Sequence, residues 1–208
     1  MWPSRRSRKK RSERRPDFLV FGLGNPGRRY AGTFHNAGQA AVDLLAKGIG
    51  VRFRAAGEAE CGIGLLEETE VLLGKPRTYM NLSGLAVAPV YRRHAVGAEN
   101  LVIVHDDLDL PLGSVRLKRG GGTGGHKGLR SLEEELGTSG FLRVRIGIGR
   151  PPEGVDPADY VLARVPEGSQ ERFDRAAAEA AEAVGDIARE GFNRAMTRWN
   201  AKRQEPLP

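Results

Sequence analysis

Apolar residues recur along this chain in blocks whose periods alternate between strand and helix. Phe18 to Leu23 is an unbroken apolar run that reads as a buried strand, and Ala37 to Lys47 places Ala40, Ala41, Leu44 and Leu45 at helical spacing. "CGIGLL" and "EVLLGKP" read as two strands joined by an acidic turn over Glu67 to Glu70. "NLSGLAVAPVYRRH" opens a helix that Asn81 or Ser83 is placed to cap, with Pro89 expected to kink or restart it. The plainest buried strand is "NLVIVHDDLDLP", where Leu101 to Val104 run directly into His105, Asp106 and Asp107. "GSVRLKRGGGTGGHKG" is a strand followed by a glycine-dense loop. "LRSLEEELG" is a short helix with Leu129, Leu132 and Leu136 on one stripe and Gly137 at its end. "FLRVRIGIGRP" alternates as a half-exposed strand would, "PPEGVDPADYVLARVP" is a Pro/Gly-rich connection, and Glu171 to Glu190 is a long Ala/Glu helix. Strands alternating with helices predict an α/β fold, a three-layer α/β/α sandwich around a mixed, mostly parallel sheet.

Composition narrows this picture in three ways. A chain of 208 residues, 39% hydrophobic and carrying 28 glycines, suits one loop-rich core. The single cysteine, Cys61, leaves no intramolecular disulfide and points to a reducing, cytoplasmic setting. No apolar run approaches the length of a membrane span. The net charge of +7 lies entirely in residues 1–15, where eight basic residues face one acid, Glu13, and leave the remainder balanced. No apolar segment follows that basic run, so it does not read as a signal peptide. The expected organisation is a basic, disordered tail over 1–16, one domain over 17–203 and a short tail over 204–208.

Gly22-Leu23-Gly24-Asn25-Pro26-Gly27 spells G-x-G-x-x-G after a strand, the fingerprint of a dinucleotide-binding turn. Its context fails. The fingerprint needs a helix to open at once on the pyrophosphate, with an acidic residue near the end of the next strand. Here a turn and the irregular "RRYAGTFHN" intervene, and Asp43 falls inside the predicted helix. The glycines read instead as a tight loop that carries Asn25 and His35 to the C-terminal edge of the first strand, where ligand sites of open α/β sheets collect. "GGGTGGHKG" likewise lacks the ending of a P-loop, because Gly128 follows Lys127. Ser83 is in no nucleophile elbow and Cys61 has no evident base, so covalent serine or cysteine chemistry is disfavoured.

"GLGNPGRRYAGTFHNAG", "KPRTYMNLSG", "HDDLDLPLG", "GGGTGGHKGLRSL" and "RVRIGIGRP" stand in the order and spacing of the bacterial peptidyl-tRNA hydrolases. The resemblance covers about Phe18 to Asn200. It implies a monomeric esterase that needs no metal or cofactor and no obligate protein partner or membrane. Its substrate would be peptidyl-tRNA, cleaved at the ester between the peptide and the tRNA 3′ end. His35 matches the family's catalytic histidine, and an imidazole titrates in the right range for a general base. Asp106 matches the carboxylate that orients it. Asn81 offers an amide to the scissile carbonyl or the attacking water, and Asn25 matches the residue that separates N-blocked peptidyl substrates from free aminoacyl-tRNA. Tyr30 and Tyr79 are candidates to meet the unpaired 3′ end by stacking, Met80 to wall the peptide channel, and His126 and Lys127 to stand on the rim.

Two positions depart from the family pattern: Lys127 stands where an asparagine is frequent, and Phe34 where an arginine often precedes the histidine. The "HDDLD" carboxylates with His105 also admit a hard cation, a reading disfavoured because neighbouring strand residues point to opposite faces. A basic surface is foreseen from Arg116, Lys118, Arg119, Lys127, Arg130, Arg143, Arg145 and Arg150, with Arg194, Arg198, Lys202 and Arg203 beyond. The rival to an esterase is a non-catalytic RNA-binding relative, which the intact set Asn25, His35, Asn81 and Asp106 argues against.

Overall fold

The computed structural model describes residues 15–201. The expected tails at 1–16 and 204–208, and the basic residues Lys202 and Arg203, therefore lie almost wholly outside the described residues. Seven strands form one sheet: β1 (Phe18–Gly22), β2 (Arg54–Ala56), β3 (Ala59–Leu66), β4 (Thr69–Pro76), β5 (Leu101–Asp107), β6 (Val115–Arg119) and β7 (Leu142–Gly147). Their order is β2-β3-β4-β1-β5-β7-β6. The four central strands β4, β1, β5 and β7 run parallel, and antiparallel partners close both flanks. Among the described residues six α-helices accompany them: α1 (Ala37–Gly48), α2 (Ser83–His94), α3 (Lys127–Leu136), α4 (Pro157–Leu162), α5 (Glu167–Glu190) and α6 (Phe192–Ala201).

Strand alternation divides the core between two faces. Val20, Val102 and Val104 point into a cluster closed by α1, α5 and α6, whereas Leu19, Phe21 and Ile103 point into one closed by α2 and α3. The sheet is thus buried on both faces, which is why its central strands are continuous apolar runs. The start of α1 lies directly on the ends of β1 and β5. A Cβ on Gly38 would stand 2.2 Å from the Val104 carbonyl oxygen, and one on Gly22 at 2.2 Å from the Gly38 carbonyl oxygen. These two glycines let helix and sheet approach closely, and that approach sets the position of His35. No phosphate cradle forms: two short 3-10 turns, Arg28–Tyr30 and Phe34–Asn36, separate β1 from α1.

Several local expectations need correction. Pro89 does not interrupt α2, which runs unbroken from Ser83 to His94. Pro89 and Leu85, the residue four positions before it whose carbonyl loses its helical partner, both lie on the exposed side of that helix. Neither Asn81 nor Ser83 caps α2. The 3-10 turn Met80–Leu82 leads into it, and the Ser83 hydroxyl donates to the Met80 carbonyl at 2.8 Å. β7 is a covered inner strand rather than a half-exposed one. The Pro/Gly-rich connection contains α4, which begins at Pro157 and is capped by Asp156 accepting from the Ala158 N–H at 2.8 Å. The helix expected over Glu171 to Glu190 forms as α5 and begins earlier, at Glu167, while α6 beyond Gly191 was not foreseen.

Candidate active site

Asp106 lies at the C-terminal end of β5, where the two helical layers meet. His35, just before α1, reaches it from one layer, and His126, just before α3, reaches it from the other. His35 Nδ1 is 3.0 Å from both carboxylate oxygens. An ionised carboxylate only accepts, so the His35 proton is on Nδ1 and the lone pair on Nε2. His35 borders a cleft of about 1080 Å³, and no described residue engages its Nε2. Burial works against a charged His35 ring, but the adjacent Asp106 carboxylate outweighs it. The His35 pKa is raised, with the Lys127 ammonium opposing the rise. Burial likewise works against the Asp106 charge, yet His35 and His126 hold that carboxyl far below the usual range.

His126 has the opposite tautomer. Its Nδ1 accepts from the backbone N–H groups of Gly128 (3.1 Å) and Leu129 (3.3 Å), so its proton is on Nε2, which donates to Asp106 Oδ1 at 3.1 Å. His105, buried beside them, donates from Nδ1 to the Asp106 carbonyl at 2.7 Å, and burial pushes its pKa down and keeps it neutral. The nitrogen and oxygen atoms of His35, Asp106 and His126 lie within 4.8 Å of one another, a spacing compatible with a cation. The His126 tautomer argues against that use, because the nitrogen facing Asp106 carries a proton. The other "HDDLD" carboxylates are matched by arginines, Asp107 to Arg145 at 2.7 Å and Asp109 to Arg150.

Asn25 is buried, and its Oδ1 accepts from the Met80 N–H at 2.8 Å. That bond fixes the amide and leaves its NH₂ toward the cleft. The loop carrying Asn25 is held by Asn36, which sequence reasoning missed. Asn36 Oδ1 accepts from the Asn25 N–H and its Nδ2 donates to the Asn25 carbonyl, both at 2.9 Å. The available signal was an amide at the boundary of a predicted helix, directly after His35. Asn81 and Tyr79 are exposed at the cleft wall, and Tyr79 meets Tyr30 edge to face at 6.4 Å. Met80 is buried under the same wall. Lys127 is exposed at the first turn of α3.

Phe34 belongs to the core, stacked on Tyr160 at 4.9 Å and edge-on to Phe173 at 6.0 Å. It ties α4, which flanks the cleft, to the His35 loop. Of the foreseen basic surface, Arg143 is buried and donates to the carbonyls of Gly121 (2.5 Å) and Gly122 (2.8 Å), so it anchors the glycine loop instead. Arg145 and Arg198 are ion-paired, whereas Lys118, Arg119, Lys127 and Arg130 are exposed. Cys61 has its thiol pushed up to about 11 by burial and by Glu60, so it is no nucleophile.

Residues 19–206 match the family model described as peptidyl-tRNA hydrolase. A peptidyl-tRNA hydrolase of Rubrobacter xylanophilus is 51% identical over 181 residues, 87% of this chain and 99% of that one. One from Moorella thermoacetica is 48% identical, covering 88% of this chain and 97% of its own. The crystal structure of peptidyl-tRNA hydrolase from Acinetobacter baumannii superposes with a TM-score of 0.84 at 38% identity, over 89% of this chain and 95% of that one.

Proposed function

Since the chain belongs to the peptidyl-tRNA hydrolase family, we propose that its cleft hydrolyses the ester joining a peptide to the 3′ end of tRNA, with His35 as general base. The observation that carries this reading is the tautomer of His35, whose Nδ1–H is held by Asp106 while Nε2 is left for water at the cleft. Water attacks the ester carbonyl carbon, and its proton passes to Nε2 as the C–O bond to oxygen forms. The imidazolium so formed faces Asp106, which stabilises it. Collapse of the tetrahedral intermediate breaks the bond to the ribose oxygen, and the proton on Nε2 goes to that oxygen. The products are a free peptide acid and a free tRNA 3′ end.

Asn81 donates its amide to the developing oxyanion or orients the water, and Asn25 uses its NH₂ group on the peptide backbone next to the ester. Tyr30 and Tyr79 take the unpaired 3′ nucleotides, Met80 walls the peptide, and exposed Lys118 and Lys127 meet RNA phosphate. His126 borders the same cleft, with both ring nitrogens bonded to protein. The reaction asks for no cofactor, and the protein works as a cytoplasmic monomer. Among the described residues, no helix is long and apolar enough to cross a membrane. Hydrolysis of N-acetyl-aminoacyl-tRNA against the unblocked form tests this reading. The blocked ester should be cleaved and the unblocked one spared. Equal cleavage of both refutes the role of Asn25, and cleavage of neither refutes the esterase.

A further inference from the structure

We propose that His126 is a positioning residue that acts through Asp106, and that its ring nitrogens do not contact substrate. The inference rests on the reading of His35 as the base. Both nitrogens of His126 are already used inside the protein. Nδ1 receives the first free N–H groups of α3, from Gly128 and Leu129, and Nε2 gives its proton to Asp106 Oδ1. The two ends of the ring have separate tasks. One caps a helix whose first turn would otherwise have unsatisfied donors. The other holds one oxygen of the carboxylate on which His35 depends.

The cap occupies the Nδ1 lone pair with the Gly128 and Leu129 N–H groups and fixes the plane of the ring. Asp106 therefore faces two imidazoles, His35, which takes a proton during reaction, and His126, which is tied to the helix cap. The Asp106 charge is divided between two donors, and the share taken by His126 limits how tightly an imidazolium at His35 is held. A base that holds its proton too firmly returns it slowly to the leaving oxygen. The groups facing this network are Asp106 and His105 from β5 and Lys127 from α3, with the His126 ring 4.9 Å from that of His35 and 5.1 Å from that of His105.

Two substitutions separate the two ends of the ring. In His126→Asn the side-chain oxygen stands near the Nδ1 position and still caps α3, but it does not reach Asp106. In His126→Gln the amide extends to the Nε2 position and can donate to Asp106, while the cap is lost. NMR titration of the His35 ring reads the hold of Asp106 directly, and hydrolysis of N-acetyl-aminoacyl-tRNA gives kcat and KM. In His126→Asn, His35 should titrate about half a unit higher, because the carboxylate has lost a competing donor. The kcat should fall about tenfold, as a loosened carboxylate misplaces the base, with KM changed less than about twofold. In His126→Gln the His35 titration should stay near that of the wild type while the melting temperature drops. An unmoved His35 titration in His126→Asn overturns the proposal, as does a loss carried wholly by KM, which would mark a substrate contact. A shifted titration with unchanged kcat supports the positioning role and tells against His35 as the base.

Discussion

The inner and outer rings of the cleft are built on different principles. Within the inner ring, Asp106, His35, His126 and Asn25 are bonded to protein atoms, and three of the four are almost fully buried. On the outer ring, Tyr79, Asn81, Lys127 and Arg150 are exposed, and of these only Arg150 has an ion pair, with Asp109. The inner ring is organised before substrate arrives, as electrostatic catalysis requires, since donors that must first rearrange lose much of their effect. The outer ring leaves its hydrogen-bonding capacity for the ligand. Changes inside should therefore act on kcat and on pH dependence, and changes at Tyr79, Lys127 and Arg150 on KM and on salt dependence.

Four substitutions test that division, in order of expected effect. His35→Ala removes the base and should lower kcat by about a thousandfold or more while tRNA binding stays within about twofold. Single-turnover hydrolysis and a filter-binding assay separate the two. Asp106→Asn retains the shape but loses the charge, and should lower kcat by at least about a hundredfold. The His35 pKa is raised mainly because Asp106 overcomes burial. The acid limb of kcat/KM should therefore move to lower pH in Asp106→Asn, and an unmoved limb would separate Asp106 from His35. Asn36→Ala frees the Asn25 loop, and should cost about fivefold in discrimination between blocked and unblocked substrates, equivalent to one hydrogen bond of about 1 kcal/mol. Lys127→Asn is the mildest. The slope of log(kcat/KM) against log[salt] should flatten by about 0.7 if one phosphate of a single strand is met there. The acid limb should also rise slightly, because Lys127 opposes protonation of His35.

What the sequence disclosed followed the range of the interaction. β5 was legible because Leu101 to Val104 form an apolar run, and α1 from the helical spacing of Ala40, Ala41, Leu44 and Leu45, although the buried stripe is Ala41, Val42, Leu45 and Ala46 and Leu44 is exposed. The partnership of His35 with Asp106 spans 71 positions, and only the family motifs joined it. Positions whose partners lie across the fold were misread. Arg143 resembled a surface cation because nothing in "FLRVRIGIGRP" reveals that the carbonyls of Gly121 and Gly122 cover it. Pro89 resembled a helix breaker because the pattern does not say that it and Leu85 lie on the exposed side of α2. Phe34, a departure from the family pattern, is explained by Tyr160 and Phe173, more than a hundred positions away. The two tautomers at Asp106 had no local signal, since they follow from which backbone N–H groups reach His126.

The ionisation of His35 provides the most direct test. Its imidazole can be titrated by nitrogen NMR in the free protein, and kcat/KM for N-acetyl-aminoacyl-tRNA measured over the same pH range. His35 should carry its proton on Nδ1 when neutral, titrate above the ordinary histidine value of about 6.5, and match the acid limb of the rate profile. A neutral ring protonated on Nε2, or a rate that ignores the ionisation of His35, would contradict its assignment as the base.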